Sequence, residues 1–209
     1  MKAVSLISGG IDSPVASYLM LRKGIELVYM YADNKPFVSE TPLEKTKKLI
    51  GLLKKFGRGS KLYVIPHGRT QVEILRRCER KYTCVICRRF MYRCAEKIAI
   101  KENARAIVTG ENLGQVASQT LSNLVVEDSA VNIPILRPLL ALDKKEIINK
   151  AKEIGTYEIS IIRSMCCTIT PKFPATKTEI RDIEREEKRL DIEKLVQDSL
   201  KDASILNAL

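Results

Sequence analysis

From residue 2 to residue 155, short apolar runs that suit β-strands alternate with longer stretches of helical periodicity, and few folds accept that order. Lys2–Ile7, Ile25–Ala32, Lys61–Pro66, Ala104–Thr109 and Ile133–Leu136 are rich in β-branched and other apolar residues and read as strands. Helices are expected from Pro14 to Gly24, over Glu40–Phe56, Gly68–Arg80, Cys84–Lys101 and Gln115–Leu124, and from Asp143 to Gly155. Pro14 suits a first helical turn. Ile86, Phe90, Cys94 and Ile98 repeat at helical spacing, and Asp143 with Glu146 has the spacing of a capping box. Strands that alternate with helices pair in parallel, because only a crossover reaches a parallel neighbour. The expected fold class is therefore α/β: a Rossmann-like parallel sheet with helices on both faces.

Beyond that alternation, residues 156–175 read as irregular. Residues 176–202 read as one highly charged helix, with Ile180, Ile183, Leu190, Ile192, Leu195 and Val196 as an interrupted apolar stripe. The expected division is a domain over 1–175 and a charged helical extension over 176–209. A length of 209 residues accommodates both.

Thirty-six Lys and Arg against 25 Asp and Glu give a net charge of +11, which favours a polyanion such as nucleic acid as partner. Scattered, well-solvated charge would give the same total. Lys45, Lys47, Lys48, Lys54, Lys55 and Arg58 form one basic segment; Arg76, Arg77, Arg80, Lys81, Arg88, Arg89 and Arg93 form another. On one face, the two would suit an RNA backbone. No uncharged apolar run approaches the ~18 residues of a membrane span, and Met1–Ile7 has no basic leader or small-residue cleavage site. A cytoplasmic protein with no membrane partner is expected. In a reducing compartment, six cysteines point to metal ligation, redox chemistry or burial rather than disulfides. The single histidine, His67, argues against a His-rich metal site or a Ser-His-Asp triad.

The sharpest motif is Ser8-Gly9-Gly10-Ile11-Asp12-Ser13, between the first strand and the first helix. Two glycines permit close backbone approach, and successive N–H groups with a helix N-terminus make a cradle for phosphate. It has neither the Gly-Lys-Ser/Thr of a Walker loop nor the G-x-G-x-x-G spacing of a dinucleotide fingerprint. Asp12, a carboxylate among phosphates, needs a cation between them, so Mg2+ binding is its expected role. Capping of the first helix is the alternative.

Ser8–Ser13 resembles the SGGxDS loop of the ATP α-hydrolases, the PP-loop fold. Gly110–Thr120 (GENLGQVASQT) is similar to the GExLGQVxSQT segment of the 4-thiouridine tRNA sulfurtransferases, the ThiI family. Ser13–Ala16, Arg137–Leu139, Asp143–Ile148 and Ile154–Thr156 match it too, so the resemblance runs over about residues 1–175. It implies cleavage of ATP between the α- and β-phosphates, with AMP placed on the substrate. It also implies nucleotide contacts from Leu6, Ile7, Ser8, Gly9, Gly10, Asp12, Ser13, Tyr31, Ala32, Arg88, Gly110 and Gln119. For Arg88 and Gln119, a place on a solvated helix is the alternative. Lys144 falls where the family has a lysine used in thiolation, although a lysine in a first helical turn is commonplace. The expected activity is adenylation of a tRNA uridine with release of pyrophosphate, then thiolation to 4-thiouridine.

Cys167 matches the family's sulfur-handling cysteine, so Asp12, Lys144 and Cys167 are the expected catalytic residues. Cys84 and Cys87, two residues apart, resemble the C-x-x-C of archaeal-type members. With Cys167 they imply three ligands to a 4Fe-4S cluster with one iron open. Zinc, or dithiol chemistry, is the alternative. Cys166 reads as a spare or resolving thiol, Cys78 and Cys94 as buried ones. The RNA-binding THUMP region and the rhodanese domain of longer members are not expected here. A separate RNA-binding subunit is then a candidate partner, with the tail helix as its dock or as a homodimer contact. The sulfur donor is expected to be a protein or sulfide. Two other functions stand beside this one: sulfur transfer to a thiamine-type small molecule or a carrier protein, and a non-catalytic ATP-binding subunit.

Overall fold

Apolar residues on successive positions of the strands leave both faces of a sheet needing cover, and the chain meets that need with helices on each side. The computed structural model describes residues 1–39, 41–163 and 169–207. Its strands are β1 (Lys2–Leu6), β2 (Glu26–Asp33), β3 (Gly59–Pro66), β4 (Ile107–Val108), β5 (Ile135–Leu136) and β6 (Ser204–Asn207). Its helices are α1 (Asp12–Arg22), α2 (Thr41–Leu53), α3 (Gly68–Arg77), α4 (Thr83–Glu102), α5 (Leu121–Asp128), α6 (Lys144–Glu153), α7 (Tyr157–Ser160), α8 (Ile180–Glu187) and α9 (Ile192–Lys201).

The sheet runs β5-β4-β1-β2-β3-β6. The first five strands pair in parallel, and β6 joins β3 antiparallel. Alternation along β2 shows how the layers are filled. Leu27, Tyr29 and Tyr31 pack into one core with Val15, Leu53 and Ile147 from α1, α2 and α6. Val28 and Met30 enter the opposite core with Phe90, Cys94 and Ile98 of α4 and Val196 of α9. Each such side chain contributes roughly 1.5–3 kcal/mol on burial. A third cluster joins Ile74, Cys87, Val126, Ile169 and Ile183 beneath α3, α4 and α8.

The chain proceeds outward from β1 through β2 to β3, then returns to the other side of β1 for β4. The loops after β1 and β4 therefore diverge from neighbouring strands, the place where an open parallel sheet leaves a crevice. The α/β class and the parallel, doubly covered sheet match expectation.

Four local expectations are corrected. Gln115–Leu124 is not a helix. Its first six residues turn instead, Gly114 adopts φ +73°, and α5 starts at Leu121 because the Thr120 hydroxyl caps it at the Asn123 amide. Residues 176–202 are not one helix: α8 and α9 are separated by a break, and Asp191 caps α9 by accepting from Lys194 N. The four-residue strand β6 went unforeseen, as did α7 within the irregular stretch. Neither is long enough to show a period.

The basic segments are also thinner than the sequence suggests. Arg89 is buried and lies flat against Glu187 of α8, with two nitrogens 2.9 Å from its oxygens; Arg93 shares the same carboxylate. Neither guanidinium is spare for RNA. Lys45 is buried as well. The Asp143–Glu146 capping box is present in both directions, and α6 begins where it was expected. Cys78 and Cys94 are buried, as anticipated. Burial pushes the Cys78 thiol up to about 11. Among the described residues, no helix is long and apolar enough to cross a membrane.

Candidate functional site

At the crevice, the glycine loop leaves β1 at Ile7 and enters α1 at Asp12. The loop is braced internally: the Ser8 amide donates to Ser13 Oγ at 2.9 Å, and the Gly10 amide to Ser8 Oγ at 3.2 Å. Ser17 ties the helix to the sheet through Ser5 Oγ at 2.8 Å. The residue that precedes α1, Ile11, supplies no side-chain cap. Among the described residues no side chain caps this eleven-residue helix, which leaves its anion-binding end available. Gly110 comes so close that an added Cβ would lie 2.7 Å from the Ser13 amide nitrogen.

These elements enclose a cavity of about 350 Å3. Leu6, Ile7, Ser8, Gly9, Gly10, Asp12, Ser13, Tyr31, Ala32, Arg88, Gly110 and Gln119 all line it, so the positions expected to meet ATP are brought to one place. Arg88 reaches in from α4 and is not a solvated charge: its Nε lies 3.1 Å from Glu111. Gln119 belongs to the turn rather than to a helix, and its Oε1 accepts from the Asn112 amide at 3.4 Å. Asp12 is the first residue of α1 and not its cap. Its carboxylate instead takes the Lys144 ammonium at 2.6 Å, while Lys144 also donates to Gln115 Oε1 at 3.0 Å. Lys144 stands at the first position of α6, so two segments 132 residues apart meet beside the loop.

Glu111 holds the wall of the cavity together. It is 2% exposed, accepts from Arg137 and the Tyr92 hydroxyl at one oxygen, and faces the Arg88 guanidinium as an ion pair at the other. Burial alone would raise its carboxyl, but Arg88 and Arg137 outweigh it and hold the group down at about 2. Glu127, beside it, is driven the other way by burial and by the Glu111 charge. One carboxylate is thus fixed as an anion and its neighbour favours the proton. Sequence reasoning quoted Glu111 within a motif yet gave it no role. Its arginine partners are what reveal it.

A second cavity, of about 300 Å3, adjoins the first. Asn34, Arg88, Met91, Glu111 and Gln119 line both, so the two are lobes of one cleft. Cys84 and Cys87, one turn apart at the start of α4, line the second lobe with His67, Gln71, Glu127 and Ile169. His67 is fully buried and stacks on Phe90 at 5.0 Å, and among the described residues neither ring nitrogen has a hydrogen-bond partner. Burial pulls it down to about 4, so it is neutral. Cys166 and Cys167 lie outside the described residues. Among the described residues, no group of three His, Cys, Asp or Glu side chains could hold a metal ion.

A family model described as "Thiamine biosynthesis protein (ThiI)" matches residues 1–192. A probable tRNA sulfurtransferase of Clostridium kluyveri is 45% identical over 204 residues, covering 97% of this chain and 54% of the relative. One from Methanosarcina mazei is 44% identical over 207 residues, covering 98% of this chain and 51% of the relative. The crystal structure of a 4-thiouridine synthetase–RNA complex with bound ATP superposes with a TM-score of 0.96 at 40% identity, over 100% of this chain and 55% of that one. A U34-tRNA thiolase from Methanococcus maripaludis, solved with its 4Fe-4S cluster, gives a TM-score of 0.58 at 17% identity over 96% of this chain and 72% of that one, a likeness of fold. The chain spans about half the length of the curated relatives it matches.

Proposed function

The chain belongs to the ThiI family, and from that premise we propose that it is an ATP-dependent sulfurtransferase acting on a tRNA uridine to give 4-thiouridine. One observation carries the reading: an uncapped helix N-terminus and glycine loop face a cavity at the sheet's switch point, and that cavity shares a wall with a lobe lined by cysteines. Nucleotide and sulfur chemistry then have adjoining places. The relatives' names and the ATP and RNA of the synthetase complex support it.

In this reading, adenosine lies against Leu6, Ile7, Tyr31 and Ala32, and the phosphates against Ser8, Gly9, Gly10 and Ser13. Arg88, Gly110 and Gln119 close the site. The uridine O4 attacks the α-phosphorus, the bond to the bridging oxygen breaks, and pyrophosphate departs. A sulfur nucleophile then attacks C4, and AMP leaves with the former O4, so that C4 ends doubly bonded to sulfur. The chain's own part is positioning and charge. Asp12 offers the carboxylate oxygen that Mg2+ prefers, and the ion would neutralise charge on the departing pyrophosphate. Lys144, in contact with Asp12, places a second positive charge at the same edge of the lobe.

A 4Fe-4S cluster would be held by Cys84, Cys87 and Cys167, and when bound it supplies an open iron able to carry sulfide. Two observations fit: Cys84 and Cys87 face one lobe, and Ile169, two positions after Cys167 in the chain, lines the same lobe. The partners this reading requires are tRNA and a sulfur donor, either a protein or sulfide. Residues 1–175 would carry the ATP chemistry, with the remainder bracing α4 through Glu187. The family's description as a thiamine biosynthesis protein favours a second reading, sulfur transfer to a thiamine precursor.

The test follows pyrophosphate and thionucleoside together, with ATP, Mg2+, sulfide and tRNA. Wild type should form both. Asp12→Ala should form neither, and Cys167→Ala should release pyrophosphate without thiolation. Pyrophosphate release at the wild-type rate by the Asp12 variant would refute its assignment. Thiolation of a small precursor but not of tRNA would favour the second reading.

A further inference from the structure

Lys45 lies in the second turn of α2 and is only 5% exposed. A buried ammonium is tolerated where acceptors surround it. Its Nζ donates to the Ser160 carbonyl at 2.8 Å and to the Ile162 carbonyl at 2.7 Å, on a stretch more than 110 residues away in sequence. Its stem rests on the phosphate loop: a Cβ on Gly9 would meet Lys45 Cβ at 3.3 Å and Cε at 3.4 Å. Ser160 closes the joint from the other side, its hydroxyl donating to the Gly10 carbonyl at 3.3 Å. Three stretches therefore meet at one lysine: the loop, α2, and the chain at 160–162. That last stretch continues through Arg163 toward Cys166 and Cys167, and Ile169 beyond them lines the cysteine lobe. A lysine kept only for solubility would not be buried, nor have its charge answered by two carbonyls of a distant segment.

We propose that Lys45 is a positioning residue that fastens the chain at 160–162, a few positions before Cys166 and Cys167 in the sequence, onto the phosphate loop, so that this segment and the nucleotide lobe share one frame. The fastening itself stands on the contacts above; its consequence for thiolation rests on the proposed function. Replacing Lys45 by methionine keeps the apolar stem against Gly9 and removes the donor. The nucleotide lobe keeps every lining residue, whereas the 160–162 carbonyls lose their anchor.

Hydrogen–deuterium exchange on the full chain, wild type against Lys45→Met, reads the joint directly. Peptides over 157–163 should exchange at least ~10-fold faster, with peptides from β1 and β2 unchanged. In the coupled assay, pyrophosphate release should stay within ~3-fold while thionucleoside yield falls at least ~10-fold, because a small misplacement costs the transfer step most. Ser160→Ala should move both readouts the same way, less far. Unchanged exchange at 157–163 would overturn the proposal. So would β1 loosening in step with 157–163, which would assign Lys45 to folding alone, or equal losses of pyrophosphate and thionucleoside. If wild type makes no thionucleoside, the proposed function fails and the exchange result still decides the fastening.

Discussion

The two lobes of the cleft are built in opposite ways. The first is mainly backbone: two glycines, an uncapped helix start and a glycine pressed against the loop from β4. The second is made of side chains from α3, α4, α5 and the chain at 169–170. A backbone cradle suits a phosphate that every nucleotide carries. A side-chain lobe can combine thiols, a neutral imidazole and a proton-bearing carboxyl, groups suited to a softer reactant. The wall between them is Glu111 with its arginines.

Three substitutions test that contrast. The largest effect is expected where both lobes depend on one residue. Glu111→Gln leaves the half-buried Arg88 without its buried counter-charge, although Arg137 keeps Asp128. Breaking a buried pair in this way should cost about 3 kcal/mol, read as a shift in urea unfolding. A loss below about 0.5 kcal/mol would mean that the wall is not shared in any energetic sense.

Gly110→Ala should damage the first lobe alone. The new Cβ would stand under 3.0 Å from Ser13 and Asp12 backbone atoms, so the loop must move. ATP affinity should fall at least ~100-fold, about 2.7 kcal/mol. Alkylation of Cys84 and Cys87 should be unaltered, and calorimetry with thiol labelling checks both halves. Equal disturbance of the thiols would erase the distinction between lobes.

The smallest effect touches the second lobe alone. His67 takes a proton near 6.5 when unfolded but only near 4 when folded. As pH falls from 6.5 toward 4, the unfolded chain binds a proton that the folded chain refuses, so stability drops. The slope should approach about 1.4 kcal/mol per pH unit inside that window. His67→Phe preserves a ring against Phe90 and should flatten the slope between pH 6.5 and 5, where carboxylates contribute little. An unchanged slope in urea titrations would show that His67 is hydrated or otherwise partnered.

The same contrast explains what was legible in the sequence. Ser8–Ser13 carries its geometry within six adjacent residues, and Asp143 with Glu146 within four, so local chemistry sufficed. The alternation of strands and helices fixed the layers for the same reason. Side chains whose meaning comes from distant partners were harder to read. Arg89 and Arg93 looked like phosphate contacts until Glu187, more than 90 residues on, was seen to take them. Lys45 looked like surface charge until its partners at 160 and 162 appeared. Glu111 had no visible task because its arginines come from α4 and from the end of β5. The break between α8 and α9 was hidden because charged residues continue helical composition through it, and β6 is paired only through β3.

The central claim is that the loop after β1 grips the triphosphate of ATP. Titration calorimetry of the full chain with ATP in magnesium buffer tests it most directly. The account predicts saturable binding of one ATP per chain, weakened at least ~100-fold in Gly110→Ala. A folded wild-type chain that gives no binding heat across temperatures, and shows no thermal stabilisation by ATP, would contradict it.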